Sequence, residues 1–387
     1  MATQHYLKFI TSVLAALAML PGAAMADQIS TEHAEAEADV KGPVISASVI
    51  GTVQTSSDSR VDDEAALRPE VFVTLPVPGV GGELHVHVEA TTTPRSNGIS
   101  AFYGNSNANV GTATNSRGHG RLQVSEFYYE FEGGPVTFNV GLLDTTAYLD
   151  TSAFANDERT QFMNGSLVHN TTIEFPDYTL GMVASTEAQG YVPGVTLVLG
   201  GSSGLGDNPG QTYPELFDMR SSGKGFFAGG ELGWTIDALG EEGAARAGVW
   251  TNTADHAYLS GAAGTTHNSG FYGVLEGTAL GTGWNLRAGM ADADVSAADW
   301  FVGAAVQRQI GESLVAGLGV TETGASNDLG AGFSDTTEAE VYVKYDVIPM
   351  LSLTPSIQWV RNPGFDDTET VVDQDNWIFG LRVGVEM

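Results

Sequence analysis

The stretch Glu83-Leu84-His85-Val86-His87-Val88-Glu89-Ala90 alternates without a break. Successive side chains of an extended chain point to opposite faces, so Leu84, Val86, Val88 and Ala90 share one face and Glu83, His85, His87 and Glu89 the other. A helix would scatter the same residues around its circumference. The end of the chain repeats the pattern: Trp377, Phe379, Leu381, Val383, Val385 and Met387 oppose Gly380, Arg382, Gly384 and Glu386. Working outward, period two predicts sixteen strands, at 44–54, 67–76, 83–93, 121–132, 135–144, 177–187, 193–201, 223–235, 244–252, 269–280, 284–292, 299–309, 313–322, 336–346, 351–361 and 375–387.

The connections alternate too. One set is long and polar, at 55–66, 94–120, 145–176, 202–222, 253–268, 323–335 and 362–374, with 293–298 its short member. The other is turn-like, as in Val77–Gly82, Gly133-Gly134, Gly281–Gly283, Ile310–Glu312 and Val347–Met350. Antiparallel strands threaded through a bilayer produce this alternation, with tight periplasmic turns and long outer loops. An open sheet edge in hydrocarbon would strand its N–H and C=O groups at several kcal/mol each, so such a sheet must close. The predicted fold is all-β: a transmembrane antiparallel β-barrel of about 16 strands.

Composition excludes other classes. Of 387 residues, 16 are Lys or Arg and 47 Asp or Glu, a net charge of −31, which repels phosphate backbones and leaves no nucleic-acid partner. There is no cysteine, hence no disulfide, thiolate metal site or Cys nucleophile. Residues 1–26 read as a cleaved signal peptide: Lys8, the apolar stretch Phe9 to Leu20, then Ala24-Met25-Ala26. That stretch is shorter than the roughly 20 residues of a spanning helix. An acidic leader follows at 27–42 and the barrel at 43–387; without Lys8 the charge becomes −32. An exported barrel belongs in the outer membrane of a Gram-negative bacterium, against its lipid and lipopolysaccharide.

Candidate functional residues concentrate in the connection 145–176, which is too long for a hairpin loop and carries aromatics that can pack. Folded into the lumen it would form a constriction from Asp144, Asp150, Asn156, Asp157, Glu158, Arg159, Gln161 and Asn164; the alternative is a loop on the rim. Strand carboxylates are disfavoured on a lipid face, so Glu83, Glu89, Glu126, Glu130, Glu231, Glu276 and Glu340 should face the lumen and attract cations. A sugar-binding pore needs flat aromatic faces and planar donors. Tyr128, Tyr148, Phe102 and Tyr103 are candidate platforms, and Arg121, Arg159, Arg246, Arg287 and Arg382 candidate donors. The His85-x-His87 spacing with Glu83 and Glu89 suits Zn²⁺ or Ni²⁺, but a polar ladder without metal is the expectation. The run Asp366-Asp367-Thr368-Glu369, with Asp373 and Asp375, lacks the EF-hand pattern and reads as a solvated loop. Gly200 to Gly206 is no phosphate cradle, and no Ser/His/acid arrangement points to an enzyme.

The run Gly141-Leu142-Leu143-Asp144-Thr145-Thr146-Ala147-Tyr148-Leu149-Asp150-Thr151-Ser152-Ala153-Phe154-Ala155-Asn156-Asp157-Glu158-Arg159-Thr160-Gln161-Phe162-Met163-Asn164, followed by Phe175-Pro176-Asp177-Tyr178, resembles the signature of the carbohydrate-selective porin (OprB) family. Ile357-Gln358-Trp359-Val360-Arg361-Asn362-Pro363-Gly364 and Gly380-Leu381-Arg382-Val383 extend the resemblance across the C-terminal two thirds of the chain. It implies a sixteen-stranded outer-membrane barrel that passes sugars and other small solutes by diffusion, without a cofactor. It also implies an aromatic final residue read by the barrel-assembly machinery, where this chain has Met387, and arginines at the constriction, where Arg159 adjoins Asp157 and Glu158. Two alternatives stand beside the sugar porin: a general cation-preferring porin, and a soluble secreted β-protein that binds glycans. A homotrimer is a candidate assembly.

Overall fold

The computed structural model describes residues 42–387, apart from 116, 207–212, 222, 367 and 369–371. The expected signal peptide, all but the last residue of the acidic leader, and Asp367 and Glu369 lie outside the described residues.

Sixteen strands form where alternation predicts them: β1 Val44–Ser56, β2 Glu64–Pro76, β3 Glu83–Ala90, β4 Leu122–Gly133, β5 Val136–Leu143, β6 Thr179–Thr186, β7 Gly194–Gly201 and β8 Phe226–Thr235. They continue with β9 Ala244–Ala257, β10 Thr265–Ala279, β11 Thr282–Ala291, β12 Ala298–Gln309, β13 Leu314–Ala325, β14 Thr336–Ile348, β15 Leu351–Arg361 and β16 Asp375–Glu386. Each pairs antiparallel with its neighbours in sequence, and β1 pairs with β16 from Ser48 opposite Glu386 to Ser56 opposite Ile378, closing the barrel. Among the described residues no helix is long and apolar enough to cross a membrane.

The expected loop 253–268 is mostly strand. β9 and β10 continue to a connection at 258–264. Their ends carry Thr, Asn, Asp and His instead of apolar alternation, because above the lipid band an outward residue gains nothing from being apolar. At the other end of the barrel the turns are tight. Leu280 (φ 54°) and Gly281 (φ 71°) form a two-residue link with both residues at positive φ, the backbone that matches strand twist.

The two faces divide as the pattern demands. Phe127, Val249, Phe271, Leu286, Leu318 and Phe379 are exposed on the outside, while Gln54, Arg68, Glu70, Glu89, Gln358 and Arg382 are buried inside. Leu318 lies opposite Val306 and Val341, within a continuous apolar band. Leu318→Arg is therefore expected to destabilise the barrel by about 2–4 kcal/mol if this level meets the bilayer midplane. Denaturant unfolding from lipid vesicles checks this, and an effect under half that size would move Leu318 out of the hydrocarbon.

A bulge in β4 increases the polarity of one stretch of wall. Glu126 pairs with His87 and Val124 with Val88, leaving Ser125 as an extra residue. Both Ser125 and Glu126 then reach inward: Ser125 Oγ donates to Glu89 at 2.6 Å and Glu126 Oε2 lies 3.3 Å from His87 Nδ1.

Candidate pore constriction

The connection from β5 to β6, residues 144–178, lies against inward-facing side chains of β8, β10, β11, β14 and β16. Its backbone has no strand partner and much of it is buried or half-buried, so its polar groups need other partners. Wall carboxylates accept its N–H groups. Glu231 takes Asp150 N at 3.0 Å, Glu276 takes Ala153 N at 3.0 Å and Ser152 Oγ at 2.7 Å, and Glu340 takes Met163 N at 3.1 Å and Asn164 N at 2.8 Å. Wall guanidiniums donate to its carbonyls. Arg246 reaches Thr151 O (3.1 Å), Arg287 reaches Asp150 O (2.7 Å) and Leu167 O (3.2 Å), and Arg382 reaches Glu158 O (2.6 Å) and Gln161 O (2.9 Å). Such charge-assisted bonds are roughly twice as strong as neutral ones.

Packing adds to this lattice. Phe162 meets Tyr342 edge-on with centroids 4.9 Å apart, and Leu149 and Ile173 join Phe227, Trp250 and Tyr272 in a buried cluster. Inside the loop Gln161 Oε1 accepts Asn156 N and Asp157 N at 2.7 and 3.1 Å. Asn164 Oδ1 accepts Ser166 N at 2.9 Å and so opens a short helix α1, Gly165–Val168. Asp144 caps its own turn through Thr146 N at 2.9 Å, and burial together with Glu126 pushes its carboxyl up to about 6. Burial likewise raises Asp150 to about 6, against the pull of Arg287, whose Nε lies 3.5 Å away. Burial also opposes ionisation of Asp157, but Arg159, with Nε at 3.2 Å, and the hydrogen bonds from Thr160 Oγ1 and Arg159 N together outweigh it and leave that carboxyl lowered.

The loop tip crosses to β2 and β3. Glu158 Oε1 meets Arg68 Nη1 at 2.7 Å, and Arg68 also holds Glu70 (2.7 Å) and Glu89 (3.2 Å). The Arg159 guanidinium stands 5.6 Å from the centroid of Phe72, and His87 stacks on that ring at 4.2 Å. Asp157, Glu158 and Arg159 keep 13, 18 and 34% of their side-chain surface accessible. The adjoining wall carries Tyr128, stacked on His85 at 4.7 Å, with Glu83, Glu126, Glu130 and Tyr148 all half-buried.

The sequence candidates therefore separate into two groups. Arg287 and Arg382 donate to loop carbonyls and Arg246 Nη1 serves both Thr151 O and Glu276, at 2.6 Å, while Arg159, Tyr128 and the half-buried carboxylates keep part of their surface accessible. Arg121 precedes β4 and donates to Gln123 at 2.9 Å. Tyr103 presents no ring face: it is 1% exposed, packed with Ile99, Val360 and Ile378, with Phe102 against them. Asp373 of the acidic run ties the rim, accepting from Arg60 Nη2 at 2.5 Å.

Several contributors carry no local signal in sequence. Arg68 and Glu338 are ordinary alternating positions until the loop arrives, and Glu338 then accepts Asn164 Nδ2 at 3.2 Å. The Asn-rich connection 91–121 also turns inward: Asn107 Nδ2 bonds Thr52 Oγ1 and Gln54 Oε1, each at 2.9 Å, Ala108 N bonds Met163 O at 2.9 Å, and Asn109 Nδ2 bonds Glu158 O at 2.9 Å. It braces the longer loop from behind.

This architecture has known counterparts. A structure of OprB from Pseudomonas putida superposes with a TM-score of 0.67 at 15% identity, over 89% of this chain and 94% of that one. OmpT from Vibrio cholerae, in a trimer form, gives a TM-score of 0.53 at 16% identity, over 89% and 99%. An uncharacterized protein of Aquifex aeolicus is 38% identical over 64 residues, 16% of this chain, and the chain spans about a fifth of that relative's length (21%). The family model for the carbohydrate-selective porins matches residues 81–387, well over half of the sequence, and the chain accordingly belongs to the carbohydrate-selective porin, OprB family.

Proposed function

We propose that this protein is a passive outer-membrane diffusion porin for sugars and other small hydrophilic solutes, with selection set by the inward loop and the charges facing it. The observation that carries this reading is the tip Asp157-Glu158-Arg159, partly accessible, with the Arg159 guanidinium over the ring of Phe72 and Tyr128 half-buried on the adjoining wall. A pyranose passing the tip meets planar donors and acceptors for its hydroxyls there, and the half-buried ring of Tyr128 on the adjoining wall for its apolar face. Family membership supports the solute class, and no turnover or cofactor enters. Single-channel recording tests it: ion current should be blocked in a saturable way by glucose or maltooligosaccharides, and absence of channels or of sugar block overturns it.

The lining charges favour cations among small ions. Partly accessible carboxylates at Asp157, Glu158, Glu126, Glu130 and Glu83 outnumber the partly accessible guanidiniums of Arg159 and Arg246. Replacing Asp157 by Asn and Glu158 by Gln together is expected to shift the reversal potential in a salt gradient toward zero or anion preference. An unchanged potential would remove the tip from the conduction path. OmpT of Vibrio cholerae is described in a trimer form, and assembly as a homotrimer is our expectation here.

A further inference from the structure

Two sets of His and Glu donor atoms lie within 4.8 Å of one another on the lumen face, Glu70–His87–Glu89 and Glu83–His85–Glu130. The H-x-H spacing thus does not make one chelate; each imidazole joins carboxylates from other positions. In the first set Arg68 already stands between Glu70 and Glu89, at 2.7 and 3.2 Å, and supplies the positive charge. In the second, among the described residues, no Lys or Arg comes within ion-pair distance of either carboxylate, and His85 Nε2 lies 3.7 Å from Glu83 Oε2.

Glu83 and Glu130 sit directly opposite each other in the β3–β4 register, an arrangement that repels unless a cation is shared. The imidazole between them is held in place. Its Nδ1 lies 3.2 Å from Thr74 Oγ1, and Tyr128 stacks on its face. With Nδ1–H donated to Thr74, Nε2 carries the lone pair, and this atom is shielded from solvent with no hydrogen-bond partner. A second orphan adjoins the set. Asn139, opposite Glu130 in β5 and 3% exposed, has an Oδ1 without a partner. Buried amide oxygens normally accept a hydrogen bond.

We propose that Glu83, His85 and Glu130 bind a Zn²⁺ ion, with water in the fourth position donating to Asn139 Oδ1. One imidazole and two carboxylates suit zinc, whereas Ca²⁺ and Mg²⁺ take all-oxygen shells. Glu83 begins β3 directly after the turn at 77–82, so the ion sits at the short-turn mouth, the periplasmic one. Bound there it adds two positive charges to a carboxylate-lined exit.

The test uses the full chain in detergent, stripped with a chelator and titrated with ZnCl₂ by calorimetry and with Co²⁺ by its visible absorption. One ion per chain is expected. His85→Ala and Glu130→Gln should each weaken binding by more than the about 10–100-fold that loss of an outer-shell partner costs, and Thr74→Val by about that amount. His87→Gln should bind as the parent does. Heat-modified gel mobility shows which variants are folded barrels, and Thr74→Val keeps every proposed ligand. The proposal is overturned by absence of saturable binding, by folded His85→Ala and Glu130→Gln variants that bind normally, or by His87→Gln losing as much as His85→Ala. None of these readouts involves a sugar, so the outcome is independent of the solute proposal.

Discussion

Arg287→Met is expected to undock the loop at neutral pH. Arg287 is 4% exposed and donates to Asp150 O, Leu167 O and Asn156 Oδ1, so a single side chain ties together three points of the loop. Its removal also leaves the Asp150 carboxylate, 2% exposed, without its nearest counter-charge. Breaking one side of a buried pair costs about 3–5 kcal/mol. The sixteen-strand ladder does not depend on that pair, so the barrel should survive while the loop leaves the wall. Arg159 is the one Lys or Arg between 145 and 176, so a released loop becomes a trypsin site at that position. Larger, noisier conductance and cleavage after Arg159 at pH 7.5 are the expected readouts, and protection equal to the parent protein would defeat the idea.

The same residue sets a pH dependence. The Asp150 carboxyl is raised to about 6 when docked, above the ordinary 3.8 of a free loop. A raised carboxyl means that the docked state binds the proton more tightly, so docking gains as pH falls through 6 and the gain is complete below 3.8. The span of about two pH units corresponds to about 3 kcal/mol. Acid should therefore tighten the loop, and near pH 5 it should partly rescue Arg287→Met, because a neutral Asp150 needs no counter-charge. Conductance noise recorded between pH 7.5 and 4.5 measures both effects; noise that grows on acidification contradicts them.

Glu340→Leu should open the other end. Its two oxygens accept the N–H groups of Met163 and Asn164, and the side chain is 1% exposed. Each buried N–H left without an acceptor costs about 1–3 kcal/mol, so the pair weakens docking by about 2–6 kcal/mol. The Phe162–Tyr342 contact and α1 would loosen with it. Sugar block is expected to weaken more than tenfold, since 1.4 kcal/mol is one decade. Glu340→Gln keeps one acceptor oxygen and should lie between parent and Leu variant. If both variants block like the parent, Met163 and Asn164 are held by packing alone.

The barrel was legible because its two solvents write themselves into every strand. Leu84, Val86 and Val88 against His85, His87 and Glu89 is a local pattern that survives any error in strand ends. The length and aromatic content of 145–176 likewise pointed to a packed segment, and Phe162 on Tyr342 is the packing. What the sequence hid was who holds the loop. Met163 and Glu340 are 177 residues apart and Asn156 and Arg287 131, so no window contains both partners. Arg246, Arg287 and Arg382 read as solute donors because an inward arginine looks the same in sequence whether it meets a sugar or a carbonyl. Cross-strand register, which spacing along one strand cannot reveal, likewise gives the rings of His85 and His87 different neighbours.

The seam between β1 and β16 bears on how the barrel is made. Ser48 and Glu386 pair across 338 residues, and closing a chain segment of that length costs roughly 5 kcal/mol of entropy before the first seam bond forms. Until then both strands expose unpaired edges that hydrocarbon does not tolerate and that other edges can capture. Joining the first strand to the last is thus the slow event of assembly, governed by the most distant contacts in the chain. Residues along that seam should control how quickly barrels appear in the membrane far more than how long finished ones endure.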